Sequence, residues 1–157
     1  MTADRDEQLS ASFSLAELTV SDTAARLRID NTPDAAVLAN LRRLAVLLEE
    51  VRGLLGRPLV ITSGFRAPKL NRAVGGSATS VHVIGLAADF IAPPLSAIQA
   101  CRQIAESKLV FDQLIWGRTF THIALRLAAP RRQLMRLAPN GRWVMGLPQG
   151  EPNDVDG

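Results

Sequence analysis

The chain has 157 residues, 47% of them hydrophobic, and a formal net charge of +3 from 18 basic and 15 acidic side chains. That length suits one domain with a real core, and the hydrophobic fraction argues against disorder. No apolar run reaches the roughly 18 to 20 residues of a membrane span, and a single cysteine, Cys101, excludes an internal disulfide. The charge is too mild, and the basic cluster Arg131, Arg132 and Arg136 too poor in interleaved aromatics, to suggest nucleic-acid binding.

Residues 1–11 read as a flexible polar tail. MTADRDEQLSAS lacks the apolar core of a secretory leader, which points to synthesis and retention in the cytoplasm unless another system releases the protein. Ser14-Leu15-Ala16-Glu17 has the spacing of a capping box, with Phe13 placed as a hydrophobic staple, so a short helix is expected from Ser14. A turn follows at Asp30-Asn31. Thr32-Pro33-Asp34 then reads as cap, first helical position and an acid near the positive end of the dipole. Leu38, Leu41, Leu44, Leu48, Val51 and Leu55 recur at steps of three and four, the stripe of a long amphipathic helix ending at Gly56.

Beyond it, 58–62 reads as a strand, 67–74 as a short helical turn, 86–91 as a strand and 96–107 as a second amphipathic helix carrying Cys101 on its apolar side. Short strands are expected over 110–116, 121–127, 133–137 and 142–145, with Asn140-Gly141 as the hairpin signal between the last two. Helices first and closely spaced strands later predict an α+β fold: one domain over 12–147 with a mainly antiparallel sheet. Residues 148–157 read as a disordered tail.

The chemistry concentrates in Ser63–Phe90, which holds one of the two histidines, His82, and an aspartate, Asp89, between apolar neighbours. A carboxylate in a strand fit for burial needs a partner, and a metal, an arginine or several backbone amides would each serve. Gly85, between the two, permits a tight turn that brings them together. The second histidine, His122, lies in an apolar strand. Two histidines and a carboxylate match the three-ligand pattern of a catalytic zinc that keeps one position open.

In chain order stand SGFR, LNRAVGGS, S-x-H-x-x-G-x-A-A-D-F, FDQLI and THIAL. Together, over about Leu59 to Leu125, they resemble the zinc D-alanyl-D-alanine carboxypeptidase family of cell-wall peptidases, in particular its branch of phage-type endolysins. The resemblance implies the compact α+β fold shared with the hedgehog signalling domain, a central antiparallel sheet flanked by helices. It implies that His82, Asp89 and His122 hold Zn2+, that Arg66 binds the substrate carbonyl or carboxylate and steadies the oxyanion, and that Ser80 hydrogen-bonds substrate. The implied substrate is a peptidoglycan stem peptide, cut at D-Ala-D-Ala or L-Ala-D-Glu, and a monomer is the default for such a domain.

One part of that pattern is missing. The family's general-base glutamate should follow the FDQLI strand, and its place falls on Gly117, or on Trp116 or Thr119 in shifted alignments. None is an acid. Asp112 is nearest, but strand alternation turns it away from the face of Gln113, Ile115 and Gly117, so it is a weak candidate. Two readings stay open: a zinc peptidase of the phage or prophage lysis type, acting on the cell wall after release, or a catalytically impaired relative that binds a stem peptide or protein around its zinc.

Overall fold

A computed structural model describes residues 7–150. It is an α+β fold with five α-helices and six strands, the strands forming one mixed sheet in the order β1-β2-β4-β3-β5-β6. The helices are α1 (Leu15–Thr19), α2 (Asp22–Leu27), α3 (Ala35–Leu55), α4 (Pro68–Ala73) and α5 (Ala97–Glu106). The strands are β1 (Val60–Ser63), β2 (Ala87–Ile91), β3 (Gln113–Trp116), β4 (Thr121–Ala124), β5 (Gln133–Leu137) and β6 (Trp143–Met145). Internal contacts divide the chain into one unit of Met1–Glu49 with Ser63–Ala88, and another of Glu50–Thr62 with Asp89–Gly157. Among the described residues, no helix is long and apolar enough to cross a membrane.

In the first unit the expected capping box starts α1, with Glu17 N–H donating to Ser14 Oγ (3.1 Å) and Ser14 N–H to the Glu17 carboxylate (3.2 Å). Helix α2 is an addition to the sequence reading; Ser21 caps it through Ala24 N–H (3.1 Å), and Arg28 ends it in the left-handed region. The start of α3 corrects the sequence reading. Asp34, not Thr32, is the cap, accepting from Val37 N–H at 2.8 Å. Thr32 N–H is itself taken by the Asp30 carboxylate (2.9 Å), a local turn that holds Thr32 and Pro33 outside the helix. The leucine stripe is buried as its period demands, with Leu41, Leu44 and Leu48 fully enclosed. Of the tail expected over 1–11, residues 1–6 lie outside the described residues. Residues 7–11 are held, by Leu15 N–H donating to Glu7 O and by Ser10 Oγ donating to Glu49.

The second unit contains β3–β6 and α5. Strands β3 and β4 pair antiparallel, as do β5 and β6, whereas β3 and β5 pair parallel. The chain leaves β4, crosses 125–132 and returns on the far side of β3, so the sheet is mixed. Helix α5 starts on a second capping box, Ser96 with Gln99, and buries Ile98, Cys101 and Ile104. Cys101 is a core residue as expected: burial pushes its thiol pKa up to about 12, and Sγ lies 3.6 Å from Thr121 Oγ1. Each arginine of the basic cluster is hydrogen-bonded within the chain: Arg131 holds Asp112, Arg132 donates to Leu109 O and Ser107 O, and Arg136 to Met145 O. The disordered tail expected over 148–157 falls mostly on 151–157, outside the described residues. Arg102 donates to Pro148 O and Gly150 O before that point.

Candidate metal centre

His82 sits in a single 3₁₀ turn, Val81–Ile84. Ser80 caps it, its Oγ accepting from His82 N–H at 3.3 Å, and Gly85 closes it at φ +78°. Glycine is required there twice over. The backbone is left-handed, and an added Cβ would lie 3.0 Å from Val37 O and Cγ1. The His82 ring is buried, with Nδ1 2.8 Å from Gly64 O. A carbonyl can only accept, so Nδ1 carries the proton and Nε2 presents its lone pair, the orientation that metal-binding histidines take from an outer partner.

The SGFR segment is fastened beside this turn. Phe65 N–H donates to Leu18 O (2.7 Å), and Arg66 N–H to His82 O (3.1 Å). Arg66 Nη2 donates to Ser80 Oγ at 3.3 Å, so the two residues assigned to substrate by resemblance are neighbours. Asn31 is the residue that sequence reading missed. Its buried amide donates to Thr19 O (2.7 Å) and Phe65 O (3.0 Å) and accepts from Ala67 N–H (2.7 Å), so one side chain brackets Arg66 on both sides. The only signal in the sequence was a turn residue.

In the second unit, Asp89 on β2 and His122 on β4 meet directly, His122 Nδ1 lying 2.8 Å from Asp89 Oδ1, with both side chains largely buried. His82, Asp89 and His122 each offer one ligand atom, all within 4.8 Å of one another. Zinc bonds of about 2.0–2.2 Å hold neighbouring ligands roughly 3.5 Å apart, a spacing between the 2.8 Å of the Asp89–His122 pair and the 4.8 Å that bounds the group. Imidazole nitrogens and a carboxylate are donors that zinc accepts. The residues present fit the ion.

The place of the expected base is built differently. Gly117 opens the β3–β4 hairpin, its N–H donating to Phe120 O at 2.9 Å, with Arg118 at φ +75°. The Phe120 ring fills the space a side chain at 117 would use; a Cβ there would lie 2.3–2.6 Å from ring atoms. Asp112 is not poised as a base. Arg131 Nε donates to its Oδ1 (2.9 Å), Nη2 to Oδ2 (2.8 Å), and Arg131 N–H to Oδ1 (3.1 Å). The Arg131 hydrogen bonds hold its carboxyl below the usual value of 3.8, outweighing the burial that opposes them. Among the described residues, Asp89 is the only carboxylate grouped with the two histidines.

This pairing makes a pH-dependent contribution to stability. Because the folded pKa is depressed, the contribution is complete above 3.8 and is lost as pH falls through the lower folded value. Asp112→Asn is therefore expected to cost about 1–2 kcal/mol at pH 7, discounted for the exposed guanidinium. In urea unfolding the gap between variant and wild type closes as the pH falls below that window; a gap independent of pH would contradict the assignment.

With a three-donor centre set in an α+β frame, the chain has the features of a metallopeptidase. The sequence model of the family described as Peptidase M15 matches residues 11–124, and the chain belongs to that family, the zinc D-alanyl-D-alanine carboxypeptidases. None of the curated proteins compared with it gives a significant match.

Proposed function

We propose that the protein binds zinc through His82, Asp89 and His122 and cleaves a peptide-stem amide of peptidoglycan, at D-Ala-D-Ala or L-Ala-D-Glu. The observation that carries this reading is the convergence of the three donors within 4.8 Å in a chain of the M15 family. When bound, zinc would polarise the scissile carbonyl and lower the pKa of the attacking water. Arg66 supplies a permanent positive charge and a planar fork of donors, suited to a carboxylate or a developing oxyanion. Ser80 Oγ, already within reach of Arg66, sets the guanidinium's direction and offers a hydroxyl to the substrate. Buried His82, fixed by Gly64 O, keeps its Nε2 lone pair directed without rearrangement.

A second reading rests on the hairpin. With Phe120 against Gly117 and Asp112 held by Arg131, neither of these two positions offers a side chain ready to take the proton from water, and loss of a general base commonly costs about 10²- to 10⁴-fold. On that reading the domain holds a stem peptide with little or no turnover. Digestion of purified cell wall, with mass analysis of the new termini, decides between them. Under the first reading, wild type releases stem-peptide termini and Arg66→Ala does not, although it keeps its zinc. Under the second, wild type releases none yet retains a stem peptide in a binding assay.

A further inference from the structure

The last carbonyls of α1 anchor the segment that carries Arg66, one directly and one through Asn31. A helix leaves its final carbonyls without internal partners. Here Leu18 O accepts from Phe65 N–H at 2.7 Å, and Thr19 O accepts from Asn31 Nδ2 at 2.7 Å. Asn31 Nδ2 also donates to Phe65 O (3.0 Å), and Asn31 Oδ1 accepts from Ala67 N–H (2.7 Å). One amide thus takes the carbonyl before Arg66 and the N–H after it, the kind of groups a neighbouring strand would pair in a ladder. Arg66 lies beyond the end of β1 at Ser63, so the side chain of Asn31 stands in for that neighbour. Arg66 N–H itself donates to His82 O (3.1 Å), and Ser80 Oγ holds the guanidinium end (3.3 Å). All of these groups belong to the first unit.

We propose that Asn31 is a positioning residue for Arg66: it fixes the direction in which the arginine leaves the backbone, and so where its donors meet a carboxylate or an oxyanion. The proposal rests on the stem-peptide reading and extends it to a residue in the connection between α2 and α3. The site asks for asparagine in particular. Aspartate has no donor, serine has a single hydrogen, and glutamine carries an extra methylene. Asn31 is buried, so water does not replace a bond that it loses. A guanidinium on a long stem meets its target only if its base is fixed, and a displacement of about 1 Å can cost on the order of 10²-fold. Zinc depends on a separate anchor. His82 is oriented by Gly64 O, and the N–H of that same peptide unit is held by Leu18 O rather than by Asn31.

The test is a double-mutant cycle on the zinc-loaded full chain, with a peptidoglycan pentapeptide ending in D-Ala-D-Ala as the probe. The readout is kcat/KM if wild type cleaves the peptide, and Kd by calorimetry if it only binds. Arg66→Ala and Asn31→Ala should each lose about 10- to 100-fold while keeping one zinc per chain. In the Arg66→Ala background, Asn31→Ala should cost less than about threefold more, because its effect runs through the arginine. Asn31→Asp keeps the size of the side chain but turns an acceptor towards Thr19 O and Phe65 O. It should behave as Asn31→Ala does, and it supplies the cycle if the alanine variant fails to fold. Losses that multiply in the double variant give Asn31 a purely structural role and overturn the proposal. So do zinc loss in the Asn31 variants, and a lowered Tm with peptide handling unchanged. Each of those results leaves the stem-peptide reading in place. A wild type that neither cleaves nor binds the pentapeptide removes that reading, and the positioning role with it.

Discussion

Gly64→Ala is expected to destabilise the protein by about 3 kcal/mol or more, lowering Tm by roughly 6–12 °C. The cause is not backbone conformation, since Gly64 has no positive φ. An added Cβ would lie 2.3 Å from Leu18 O and 2.8 Å from Leu18 C, and both are main-chain atoms of α1. A flexible side chain could swing aside; a helical carbonyl that also accepts from Phe65 N–H cannot. The separation required would break that 2.7 Å bond and shift the Gly64 carbonyl that orients His82. The variant should therefore also lose about 10- to 100-fold in zinc affinity, the usual effect of disturbing an outer partner of a ligand. Gly53→Ala is the control. It lies in α3 with nothing within 4 Å of the added carbon and should gain up to about 1 kcal/mol. Thermal melts of the two variants check both signs; a Gly64→Ala midpoint within about 2 °C of wild type would falsify the steric argument.

The second large effect is metal-linked. Purified protein reconstituted with zinc should carry one ion per chain, and His82→Ala or His122→Ala should carry none at the same concentration. Zinc at about 100 times its Kd stabilises a folded site by about 2.7 kcal/mol, or roughly 5–10 °C in Tm for a chain of this size. Wild type should show that shift and lose it on chelation, and each histidine variant should melt at one temperature with or without zinc. His82→Ala also empties a fully enclosed position and should melt lower than His122→Ala before any metal is added. Metal analysis that finds no zinc in reconstituted wild type would remove the centre altogether.

What could be read from the sequence was what local chemistry decides. The α3 stripe, the Ser14 cap and the strand at 133–137 follow from spacing alone, and the ordered motifs brought His82, Asp89 and His122 together before any coordinates. The errors lie where two local options compete or where the partner is distant. Thr32 and Asp34 are both good caps, and only the Asp30 carboxylate, taking Thr32 N–H, decides between them. The parallel pairing of β3 with β5 depends on where the chain returns after β4, which no period in the sequence encodes. Asn31 reads as a turn residue until its three backbone partners, two of them more than thirty positions away, are seen. Gly117 showed that an acid was missing; that an aromatic ring has taken its space was visible only in the fold.

The parallel pairing also bears on where the domain stops. Family similarity ends at Ala124, yet in the sheet order β3 has β4 on one side and β5 on the other. A chain trimmed to its family boundary would strip one whole side of β3, from Gln113 to Trp116, of its hydrogen-bond partners and take Arg131 away from Asp112. An uncovered interior strand is a template for association with other chains. The recognisable segment and the self-sufficient folding piece are thus different lengths of polypeptide, and the last strands serve as the seal on an edge that the metal-bearing strands cannot close alone.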